Sequence, residues 1–150
     1  MSHVRAQIRS RLRAALVATL PVTYDVFASR KYARNLDPAR PLVDMRFSND
    51  QTRARETMGD DRVHVASLYV RVQRSAADET LLDDALDADE IRIVTAMESV
   101  SWLDLLEEDP ELMQVNFSED AQNGRAIGAI VIRYDMEYRI EKDDPSTAIP

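Results

Sequence analysis

The chain of 150 residues contains no cysteine, three glycines, two histidines and one tryptophan. Without cysteine there is no disulfide, no thiolate zinc site and no cysteine nucleophile. Gly59, Gly124 and Gly128 are too few and too scattered for a phosphate-cradling loop. The histidines, His3 and His64, have no His or carboxylate partner at helical spacing, so metal ligation is not suggested. His64 falls inside a strand pattern and reads as a packed or sheet-surface residue. No nucleophile–base pair stands out, and the thin catalytic inventory points away from an enzyme. No apolar run approaches the roughly 20 residues a membrane span needs. The arginine-studded N-terminus is unlike an export signal, so the expectation is a soluble protein.

Charge is what the chain has in surplus. Lys and Arg number 19 against 27 Asp and Glu, a net −8. A chain this acidic is a poor wrapper of nucleic acid, which needs its phosphates neutralised. The length suits one domain, expected over 1–142 with a flexible tail over 143–150.

Apolar spacing predicts a helix from about Ser2 to Leu20, through Val4, Ile8, Leu12 and Leu16, stopped by Pro21. Strands are expected over Thr23–Ser29, Leu42–Phe47 and Arg62–Arg74, with polar loops at 30–40 and 48–61. The apolar phase of the third strand slips near Ser67, which implies a bulge or burial on both faces. Asp78 reads as the N-cap of a helix reaching about Val100. Its stripe is Leu82, Leu86, Ile93, Met97 and Val100, and the run Asp83, Asp84, Asp87, Asp89 and Glu90 reads as its solvated face. Trp102, Leu103, Leu105 and Leu106 form a dense apolar patch, read as core, with an assembly face as the alternative. Met113, Val115 and Phe117 alternate, Asn123-Gly124 offers a tight hairpin turn, and Ala129–Ile140 alternates cleanly. Gly128 inside a strand marks a bulge or a close backbone approach. The expected fold is α+β: a mainly antiparallel sheet of about five strands with two helices packed on one face.

Charge of both signs is clustered. Arg30, Lys31, Arg34 and Arg40, with Arg53 and Arg55, lie in two loops flanking neighbouring strands. They are the expected contacts to another copy or another protein. Asp83, Asp84, Asp87, Glu90, Glu107 and Glu108 are the expected acidic lining of a channel past which DNA slides without sticking. Basic loops and an acidic helix on one subunit suit head-to-tail contacts, which close into rings.

Four stretches carry a family resemblance: "VRAQIRSRLRAALVATLP", "VFASRKYARNLDPARPLVDMRF", "HVASLYVRVQR" and "AIVIRYDMEYRI". In their order and character the chain resembles the tail terminator (minor tail, tail completion) proteins of long-tailed, lambda-like bacteriophages. The resemblance implies a homo-oligomer, a hexameric ring seated on the last ring of tail tube protein. It implies that the ring stops tube growth and presents a surface to the head–tail connector or neck proteins, with DNA only passing through the lumen. It places the chain in the virion at the tail–neck junction, assembled in the host cytoplasm, with no membrane and no cofactor. It supplies no catalytic residues. The segment "WLDLLEEDPELMQVNF" is longer than the link this layout implies. Competing readings are a head–tail joining protein, a monomeric α+β ligand-binding module, and a hydrolase built on paired carboxylates.

Overall fold

The computed structural model describes residues 3–29, 40–53, 61–122, 124–141 and 144–148. The fold is α+β: two helices against a mostly antiparallel sheet, with one parallel strand pair. Helix α1 (Val4–Thr19) buries Val4, Ile8, Leu12 and Leu16, the face the spacing predicts. His3 caps it, its Nδ1 accepting from the Arg5 amide at 3.1 Å. Helix α2 (Glu79–Ser99) starts at Asp78, whose side chain accepts from the Leu81 amide at 2.8 Å. Such a cap satisfies one of the orphan donors of the first turn and contributes about 1 kcal/mol.

The sheet runs β1-β2-β3-β5-β4, with β6 also on β5. Strand β1 (Asp25–Val26) lies parallel to β2 (Leu42–Arg53); β2 is antiparallel to β3 (Asp61–Ala76), and β3 to β5 (Arg125–Glu141). Strand β4 (Glu111–Gln122) and β6 (Asp144–Ala148) also run antiparallel to β5. Both helices cover one face. Val43 and Met45 of β2, Leu68, Val70 and Val72 of β3, and Ile130, Ile132 and Tyr134 of β5 meet the helical stripes in one core. Each such fully buried aliphatic side chain contributes about 1.5–3 kcal/mol.

Gly128 faces α2. A Cβ there would stand 2.9 Å from Leu82 Cδ2 and 3.0 Å from Leu86 Cδ1, so close approach explains the residue. Gly124 closes the β4–β5 turn at φ +76, a conformation open to glycine at no steric cost; Asn123 lies outside the described residues.

Several expectations are corrected. Strand β2 continues to Arg53 where a loop from Ser48 was expected, because hairpin pairing with β3 satisfies its backbone without apolar side chains. The phase slip near Ser67 is answered on the partner: β2 bulges between Ser48 and Gln51, while β3 and β5 stay in register. β1 is only two residues long, the Phe27 amide adding one further bond to the Val43 carbonyl. The expected flexible tail over 143–150 instead contributes β6, and Gln7 of α1 donates to the Ser146 carbonyl at 2.6 Å. Trp102, Leu105 and Leu106 enter the core, whereas Leu103 is 70% exposed. His64 stacks on Tyr138 at 5.1 Å between ring centroids.

Candidate functional site

The largest departure from the sequence reading is at Asp89. It is fully buried, not part of the solvated acidic run. Positions 82, 86, 89, 93 and 97 share one helical face, so the helix turns Asp89 inward with the leucines. A buried carboxylate must be paired, and Asp89 is closed on every side. Arg74 of β3 donates to both of its oxygens, at 2.7 and 2.9 Å. The Tyr24 hydroxyl donates to Oδ1 at 2.5 Å and accepts from Arg74 and Arg92, both at 2.6 Å. The two guanidinium groups lie over the Tyr24 ring at 5.4 and 5.7 Å. Burial first, then the bond to Asp89, raises the Tyr24 phenol above its ordinary pKa. With its oxygens taken, this cluster is a clamp joining α2, β3 and the segment before β1.

The acidic residues divide. Asp83, Asp84 and Asp87 are exposed on α2, and Glu90 is half-buried. Glu119 of β4 joins them: its hydrogen bond with Asp83 is the main cause that raises its carboxyl pKa, and the charges of Asp83 and Glu79 add to it. Glu107 does not belong to this strip. Its carboxylate accepts from Arg139 at 2.6 Å and its side chain is 15% exposed, on the far side of β5 from the helices. Glu108 is exposed in the turn beside it.

The basic residues are less fully placed. Arg30, Lys31, Arg34 and Arg55 lie outside the described residues. Arg40 pairs with Asp25 of its own chain at 3.0 Å and donates to the Val22 carbonyl. Arg53 is the last residue of β2, opposite Val63.

Two features that spacing alone left unread lie at the β4 edge. The backbones of both helices keep their distance from β4, although Val115 packs against the core and Glu119 meets Asp83 of α2. Leu112, Met113 and Phe117 are each about half exposed, and the outer edge of the strand has no backbone partner among the described residues. An uncovered edge of this length is a template for another chain unless something blocks it.

The second feature is a cleft of about 420 Å³ where the end of α2 meets the following turn and β5. Met97, Val100, Trp102 and Pro110 supply apolar walls, and Glu98 and Asp109 stand at its exposed rim. Tyr134 lines it, and the buried hydroxyl of Tyr134 has no hydrogen-bond partner among the described residues. An unsatisfied buried hydroxyl costs about 1–3 kcal/mol. Burial, with the charges of Glu98 and Glu90, pushes its pKa up to about 12. The Trp102 indole itself is satisfied, donating to the Met97 carbonyl at 3.1 Å. The turn is tied to α1 by Arg11, which donates to both Asp104 oxygens at 2.5 and 2.8 Å and holds that carboxyl below its ordinary pKa.

Among the described residues there is no group of three or more His, Cys, Asp or Glu placed to hold a metal ion, and no helix is long and apolar enough to cross a membrane. The arrangement defines a two-layer α+β protein with an open strand edge, an acidic helix face and an acidic, partly apolar cleft at the end of α2. No protein family and no curated protein matches the sequence.

Proposed function

We propose that this chain is a structural virion subunit that closes into a ring at the end of a phage tail tube, ends tube growth and joins the tail to the neck. The observation that carries the reading is the uncovered β4 edge with its half-exposed Leu112, Met113 and Phe117. An apolar strand left open on one side of a stable sheet wants a protein neighbour. The resemblance of the four sequence stretches supplies the kind of neighbour: further copies of the same chain, then tube protein on one face and a neck protein on the other.

Opposite charges at different places on one subunit favour unlike surfaces meeting, the arrangement that closes a ring. The acidic strip of α2 and β4 is the candidate lumen lining. The test is the mass of the purified chain in solution with negative-stain images, alone and with tail tubes. A closed ring that caps tube ends is the expected result. A chain that stays single at high concentration and leaves tube ends bare overturns the reading.

A further inference from the structure

We propose that the cleft under Tyr134 is the seat for an arginine or lysine side chain from the 30–40 stretch of a second copy of this chain. The inference rests on the ring reading and names the contact that closes the ring.

Three properties of the cleft select a cation on an apolar stem. Its walls at Met97, Val100 and Pro110 suit methylene groups, which long basic side chains bury while the charged head stays beyond. Glu98 and Asp109 line the cleft and are exposed, so they supply negative charge where it opens to solvent. The Tyr134 hydroxyl lacks a partner among the described residues, and its oxygen can accept an N–H. A neutral apolar occupant would leave that hydroxyl unsatisfied, and an anion would meet two carboxylates.

The occupant is chosen by charge and by place. The stretch RKYARNLDPAR, residues 30–40, carries four cations against one carboxylate in a chain of net −8. Its neighbours in the structure, Ser29 and Arg40, lie by β1 and β2 at one edge of the sheet, whereas the cleft lies beside β5 and β4 at the other. Donor and seat at opposite edges of one subunit are what a head-to-tail contact needs. Arg40 is held by Asp25 of its own chain, which leaves Arg30, Lys31 and Arg34 as the candidates for insertion.

Trp102 is the chain's single tryptophan and lines the cleft, so its fluorescence reads the site directly. The protein to titrate carries Arg30→Gln, Lys31→Gln and Arg34→Gln, which empties the seat whatever the state of assembly. The probe is a capped peptide of sequence RKYARNLDPAR, excited where only tryptophan absorbs. A saturable change in Trp102 emission is expected. Adding Glu98→Gln and Asp109→Asn weakens it roughly tenfold or more, and adding Tyr134→Phe weakens it roughly three- to tenfold. No change in emission, or equal binding after Glu98→Gln and Asp109→Asn, overturns the assignment. Sedimentation of the unmutated chain separates the two claims. Rings that persist in the Arg30, Lys31 and Arg34 variant overturn this contact and leave the ring standing. A monomer at high concentration in the unmutated chain overturns the ring itself, and with it the second copy as occupant.

Discussion

At the scale of single residues, the fold depends most on Asp89. Its carboxylate is buried under two arginines and a tyrosine, and removing it leaves the Arg74 guanidinium without its counter-charge. Asp89→Ala is therefore expected to cost about 3–5 kcal/mol, read as a lower urea midpoint. Arg92→Gln is expected to cost under about 1 kcal/mol, because that side chain is 43% exposed and its guanidinium stands 3.7 Å from Asp89, whose oxygens Arg74 and Tyr24 still fill. Equal costs for the two would mean that the cluster is not the clamp described. Glu119 makes a prediction of opposite sign. It binds its proton more tightly in the folded chain, so its contribution to stability is present at acid pH and is lost as pH rises past the ordinary 4.5. Glu119→Gln should raise the melting temperature at neutral pH, and the gain should vanish below pH 4.5. A gain that grows on acidification would refute the shared hydrogen bond with Asp83.

Among the elements, those with strong apolar periodicity were readable beforehand. Helix α1, helix α2 with its Asp78 cap, and the alternation of β5 all have the faces their spacing predicts. The elements held by pairing alone were not readable. The outer part of β2 and all of β6 are polar stretches that become strands because a neighbour offers its hydrogen bonds. Asp89 was legible in principle, since the helical period sets it among leucines; the surrounding run of acids concealed it. The cleft was not legible, because Trp102 and Tyr134 are far apart in the chain and meet only through the fold. The β4 edge belongs to this scale too. Met113 and Phe117 are half exposed, so Met113→Lys with Phe117→Lys gives up about half the burial of each side chain and should cost about 1.5–3 kcal/mol. The same pair of lysines on an open edge should block strand addition. The expected outcome is a folded protein with unaltered circular dichroism that no longer assembles in sedimentation velocity. Assembly that survives both lysines would remove β4 from the interface.

For the molecule as a whole, the proposed assembly turns on where the negative charge would go. In the proposed ring, six copies at −8 each would reach −48, and that charge would lie either around the channel or on the rim. The reading of the α2 strip as lumen makes the first choice. Asp83, Asp84 and Asp87 then repel a passing duplex, and the native ring should not retard linear DNA in a gel at physiological salt. Changing all three to lysine reverses the local sign in every copy, and six such patches around one duplex act together. That variant ring should retard DNA at low salt and release it steeply as salt rises, because each neutralised phosphate frees its counterions. Retardation by the native ring would contradict the acidic lining. A lysine ring that leaves DNA unretarded even at low salt would overturn an α2 strip that faces the duplex, and retardation that needs no free DNA end would put α2 on the outside.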